Sequence, residues 1–197
     1  MDSILGVAIS LFFMLDPIGN VPVLTGFVKD FTPVRKRFIM IRESLFALVL
    51  MLLFLFFGKH ILGAIGVEQQ ALSMTGGVVL FLIGLRMSMP KEGEPSTAYS
   101  PENEPFIVPI AVPFIAGPGV LAMLMLLTAK GALPIWGNFI AVLTAWAGST
   151  IVLVIGQSLM KHLGNKGMDA CQRLMGLVLT AMAVQMFMNG FREFMRM

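Results

Sequence analysis

Within residues 3–28 the only charged side chain is Asp16. A carboxylate in the middle of so apolar a stretch costs several kcal/mol unless it is paired, protonated or hydrated, and so marks a functional position. Pro17, Gly19, Asn20 and Pro22 follow it, removing a backbone donor or relaxing the chain, so a helix is expected to break here. A second break, Ala116-Gly117-Pro118-Gly119, interrupts the uncharged run 105–129. Lipid satisfies none of the carbonyl and N–H groups freed at such breaks, which must face protein or water. Half-helices near 21–28 and 120–129 would both begin at the midplane, turning two positive dipole ends toward the centre. That is an anion site suited to a carboxylate. Asp16 could take an ammonium group or carry a coupling proton, and Asn20 adds amide donors and an acceptor. With Pro17, Gly19, Gly117, Pro118 and Gly119 these groups fit a zwitterion. Thr75 and Gly76 permit a close backbone approach at the border of the same region.

Membrane-spanning elements must position these groups. The 197 residues are 57% hydrophobic and 13% charged, with mean hydropathy +0.86, against about 25% charged in an ordinary globular domain. A soluble domain is thereby excluded. A crossing helix needs about 20 apolar residues. Runs 105–129, 131–160 and 174–191 qualify, 44–58 and 69–85 qualify when extended to Phe38 and Arg86, and 3–15 joined to 17–28 makes one span around Asp16. On this expectation Arg42 and Glu43 fall at an interface, and Asp16 is the only acidic residue deep in an apolar segment.

The spans repeat. Pro17 and Pro118 are 101 positions apart, Lys59-His60 and Lys161-His162 are 102 apart, and Gly76 and Gly176 are 100 apart. The expectation is an all-α integral membrane protein: a single membrane domain over 1–197, with repeat 1 at 3–89, a cytoplasmic linker at 90–104 and repeat 2 at 105–192. A three-span unit repeated once inserts its second copy upside down, so six transmembrane helices form two inverted repeats with broken first and fourth helices. Ten Lys/Arg then fall on the linker side and four on the other, which places both termini outside the cytoplasm. Re-entrant hairpins at 3–28 and 105–129 give the same ten against four. Full spans are preferred because 105–129 crosses without burying a charge.

Other side chains read as structure. Ala141, Ala145 and Gly148 share a face suited to close helix packing. Gln157, Gln185 and Asn189 would hydrogen-bond across helices, and the 17 Met fill apolar space. His60 and His162 sit at helix ends with Lys neighbours, and no metal site or cofactor is expected. Cys171 is the one cysteine. A net charge of +3 reflects topology rather than nucleic-acid binding. A lone buried carboxylate lacks a partner acid, base or nucleophile, so no enzyme is expected.

Asp16-Pro17-Ile18-Gly19-Asn20-Val21-Pro22, Arg42-Glu43, Glu104-Pro105-Phe106-Ile107-Val108-Pro109 and Ala116-Gly117-Pro118-Gly119 together resemble the MarC family, and within it the YhgN-type members, along essentially the whole chain. The resemblance implies a six-helix bacterial inner-membrane protein, grouped with transporters of small neutral amino acids such as glycine and alanine. Many members follow the second motif with hydroxyl residues, whereas this chain has Val120, Leu121 and Ala122, so the resemblance carries no polar substrate contact to those positions. A secondary transporter of a zwitterion is the leading expectation, with the lipid bilayer as its surroundings and a homo-oligomer compatible with it. A passive small-solute channel and a non-transporting membrane scaffold or stress factor are the alternatives.

Overall fold

Apolar length and capping chemistry set the helices. The computed structural model describes residues 3–89, 103–130, 133–160 and 164–195. Helix α1 (Ile4–Leu15) opens on Ser3, whose hydroxyl accepts the Gly6 N–H at 3.1 Å, and closes at Asp16. Helix α2 (Pro17–Phe27) follows directly. Helix α3 (Pro33–Ile65) opens on Thr32 with Pro33 in its first turn, where a missing N–H costs nothing. It ends at Gly66, whose φ of 64° suits glycine. Then come α4 (Gln69–Ser88), α5 (Pro118–Lys130), α6 (Ile135–Met160) and α7 (Gly164–Phe194). Among the described residues five stretches are long and apolar enough to cross a membrane: Ile4–Phe27, Pro33–Ala64, Gln70–Ser88, Ile135–Ser158 and Arg173–Phe194. No β-strand forms among the described residues.

The fourth predicted helix is only half a helix. Before α5 the chain makes a π-type turn at Ile110–Ile115, with Val112 extended at φ −131°. Prolines at 105, 109 and 113 deny an α-helix a donor on every turn, which accounts for the correction. The half-helices also start earlier than expected, on Pro17 and Pro118 themselves. Most of the expected linker, 90–102, lies outside the described residues, as do Lys161 and His162.

Contacts along the helices fix their directions. Going down α6, Gly137 lies against Ile4, Gly148 against Phe12 and Gly156 against Val21. Thus α1 and α2 succeed one another along α6 in its own direction and do not fold back as a hairpin. Helix α3 runs against α6, since Ser44 meets Trp146 and Phe56 meets Phe139. Helix α4 runs against α7: Gly77 faces Ala183 and Phe187, Gly84 faces Gly176 and Thr180, and Gly190 faces Met74 and Gln70. One end of the bundle, the terminal face, therefore holds Ile4 and Phe194. The other, the linker face, holds Ser88 and the start of α3.

The α4–α7 seam is the most extensive helix pairing, and missing side chains make it possible. A Cβ at Gly84 would lie 2.8 Å from the Gly176 carbonyl oxygen and 2.9 Å from the Thr180 nitrogen. Backbone cannot yield as a side chain would. Gly84→Leu should therefore cost about 1–3 kcal/mol and lower the thermal unfolding midpoint in detergent. Gly63→Ala, where a Cβ meets nothing within 4 Å, should leave the midpoint unchanged or raise it. As expected, Ala141 and Ala145 are buried in helix packing, with Phe12 seated against Gly148.

Candidate functional site

Asp16 is the hinge between α1 and α2. Its φ of 41° and ψ of 55° are left-handed, a conformation that Asp tolerates better than most residues because its short side chain bonds locally. Its backbone N–H closes α1 on the Phe13 carbonyl at 3.1 Å, and its Oδ1 accepts the Gly19 N–H at 3.1 Å, capping α2. One residue thus ends one helix and starts the next. A Cβ on Gly19 would fall on this carboxylate, 2.9 Å from its Cγ, which is why glycine stands there. Asp16 itself is half-buried.

Asn20 ties the two breaks together. Its amide nitrogen donates to the Leu15 carbonyl at 2.9 Å and to the Phe114 carbonyl at 3.1 Å. Those carbonyls are the loose ends of α1 and of the π-type turn, and the two bonds engage the full donor capacity of the amide. Phe27 packs edge-on against Phe114, with ring centroids 5.5 Å apart. Beyond the turn, Gly117 makes room for the Pro113 carbonyl, 2.9 Å from where its Cβ would be. Pro118 is buried against Gly76 of α4, and Gly119 faces open space. Thr75 is exposed on α4. The structure therefore joins Asp16, Pro17, Gly19 and Asn20 to the second break through Asn20. It seats Gly76 under Pro118 and leaves Thr75 and Gly119 outside the packed cluster.

A second polar centre corrects the sequence expectation. Glu43, expected at an interface, is 0% exposed and more deeply buried than Asp16. It lies next to Ser44, whose carbonyl accepts the Trp146 indole N–H at 2.7 Å near the middle of α6. Arg42 grips Glu43 Oε1 through Nε at 2.9 Å and Nη2 at 2.7 Å, and reaches Glu104 Oε1 through Nη1 at 2.5 Å. It also donates to the Pro105 carbonyl. Arg35 bonds Glu104 Oε2 through Nη2 at 2.6 Å and Nε at 2.8 Å. Glu43 Oε2 accepts no hydrogen bond among the described residues. Local sequence carries no signal of this chain of charges, since Arg42 and Glu104 lie 62 positions apart.

Burial opposes ionisation of Glu104, but the Arg35 and Arg42 guanidiniums outweigh it and hold the carboxyl below its ordinary range. A depressed carboxylate stabilises the fold above the pKa of the unfolded chain, and that contribution disappears as pH falls through the folded value. Thermal midpoints should accordingly drop on acidification below about pH 4.3 more steeply in the unmodified protein than in Glu104→Gln.

Two smaller expectations change. Gln185 donates to Asn189 at 2.8 Å within α7 rather than across helices. Both amide atoms of Gln157 are buried without a partner among the described residues. No group of three or more His, Cys, Asp or Glu suited to a metal ion occurs there either.

Residues 1–195 match a family model described as MarC family integral membrane protein. The chain is 41% identical over 196 residues to the UPF0056 inner membrane protein YhgN of Escherichia coli (strain K12), covering 100% of both chains. It is 37% identical over 196 residues to a UPF0056 membrane protein of Buchnera aphidicola (Schizaphis graminum), again covering 100% of both. A UPF0056 membrane protein of Pyrococcus abyssi is 33% identical over 190 residues, 93% of this chain and 92% of that one. No solved structure matches.

Proposed function

The chain belongs to the MarC family of integral membrane proteins, and on that premise we propose that it is a secondary transporter. It moves a small neutral amino acid or similar zwitterion across the inner membrane by alternating access, without a cofactor. The observation that carries this reading is the pair of breaks. Helices α2 and α5 both begin on a buried proline at a break, and Asn20 bonds one break to the other. Helix α2 runs to the linker face, while α5 runs toward the terminal face, where its Met125 reaches Gly58 of α3. Their N-termini converge, which favours a carboxylate, and the Asp16 carboxylate beside them favours an ammonium.

The helix directions support six crossings. If α4 and α7 both span and run antiparallel, and α6 spans parallel to α1–α2, then the stretch from Glu104 to the end of α5 must carry the chain from the linker face to the terminal face. A re-entrant hairpin would return it to the linker face and make α7 parallel to α4. The packing also supports an inverted repeat: α2 lies against α6 and α7, while α5 lies against α3 and α4. The charge distribution supports a cytoplasmic linker face with both termini outside.

Uptake of labelled glycine or alanine by purified protein in liposomes tests the reading. Saturable uptake and counterflow are expected. No flux of any neutral amino acid would reject the substrate class, and flux linear in concentration with no counterflow would make the protein a channel.

A further inference from the structure

We propose that the Arg35–Glu104–Arg42–Glu43 chain is a gate latch on the linker face, holding the segment 103–109 against α3 and keeping the second break shut from that side; this rests on the transporter reading. Three observations carry it.

Arg42 stands on α3, but two of its three acceptors, Glu104 and the Pro105 carbonyl, belong to the incoming segment. A planar guanidinium can hold several acceptors in a fixed fork, as a lysine ammonium cannot. Phe106, Ile107 and Val108 are 60%, 36% and 60% exposed, while Pro105 and Pro109 on either side of them are buried and Phe106 packs edge-on against Phe46 at 5.1 Å.

The segment is also sprung. Ile107 has φ 60°, a left-handed conformation that is a genuine outlier for a β-branched side chain. Such a residue persists only where its surroundings over-determine it. Here the Val108 N–H, 2.7 Å from the Phe106 carbonyl, closes a tight turn on Ile107, with the Arg42–Pro105 bond on one side of it and the Val112 N–H, 3.1 Å from the Ile107 carbonyl, on the other.

The path from latch to break is short. Two residues beyond Val108 the chain enters the π-type turn, and the Phe114 carbonyl, six residues beyond Val108, takes the Asn20 amide. Weakening the Arg42–Glu104 pair therefore loosens one of the restraints on the segment that carries the strained Ile107, and through it the turn that touches the first break. Two arginines and two glutamates balance in charge, so losing one carboxylate leaves a guanidinium without a counter-ion.

The latch is tested by thiol labelling of oriented vesicles. Cysteine replaces Gly119, where a Cβ would meet nothing within 4 Å, in a Cys171→Ser background, and a membrane-impermeant maleimide is applied from each face. Glu104→Gln should speed labelling from the linker face about tenfold or more, the equilibrium shift for losing a charge-assisted hydrogen bond, and should slow it from the terminal face. Arg42→Lys, which keeps the charge but not the fork, should act in the same direction. Faster labelling from both faces, or rates that ignore both variants, would overturn the latch. Counterflow of labelled alanine by the unmodified protein is scored separately: its absence overturns the transporter reading and the gate with it, whereas counterflow with labelling indifferent to Glu104→Gln overturns the latch alone.

Discussion

Asp16→Asn is expected to leave the protein folded and to reduce amino-acid flux about ten- to a hundredfold. The fold is preserved because asparagine tolerates the left-handed backbone at this position and its carbonyl oxygen can still accept the Gly19 N–H. What disappears is the charge. On the helix side that forfeits only the attraction to the α2 dipole, about 0.3–1 kcal/mol. On the substrate side it forfeits a charge-assisted contact with an ammonium, about 1.5–3 kcal/mol, which sets the expected loss of flux. Flux into liposomes and thermal unfolding in detergent separate the two effects. Unchanged flux would remove Asp16 from the mechanism. Asp16→Ala is the structural control, because it also deletes the cap and leaves an alanine at a φ of 41°, so its unfolding midpoint should fall where that of Asp16→Asn does not.

The largest stability effect is expected at Arg42. Its removal leaves Glu43 as an uncompensated charge with no exposure to water, the circumstance in which breaking a buried pair costs about 3–5 kcal/mol. It would also release Glu104 and the Pro105 carbonyl. Arg42→Ala should therefore lower the thermal midpoint more than Glu104→Gln does. Glu43→Gln in the same chain should restore part of the loss, since an amide tolerates burial better than an unpaired carboxylate. A double-mutant cycle over Arg42 and Glu43 measures that coupling. Full additivity of the two changes would show that the pair does not act as a unit.

Parts of this arrangement were legible before any coordinates. The break at Asp16, the second break at Ala116-Gly117-Pro118-Gly119 and the glycine approach at Gly76 all follow from what proline and glycine do to a backbone, and local chemistry carries them. The prolines at 105, 109 and 113 carried an equally local signal, one per helical turn, but the apolar composition around them masks it when a run is judged by hydropathy alone. Glu43 is different. Adjacent to Arg42 in a helix opening, it has the pattern of an interfacial pair, and only the return of Glu104 and the packing of α6 over Ser44 put it inside. Asn20 was read as a site residue from its position four residues after Asp16. That its donors go to the Leu15 and Phe114 carbonyls is a tertiary fact, set by the approach of a residue 94 positions away.

The partner exchange between the halves bears on how the chain assembles. Helices α1 and α2 find their main neighbours in α6 and α7, and α5 finds its own in α3 and α4. The first half is thus synthesised well before the surface that will cover it, and must wait in the bilayer with Asp16 and its loose carbonyls facing lipid, water or a chaperone. Neither half completes itself. Two separately expressed fragments cut at the linker would each lack the packing for its broken helix, and co-expression would be the condition under which either becomes stable.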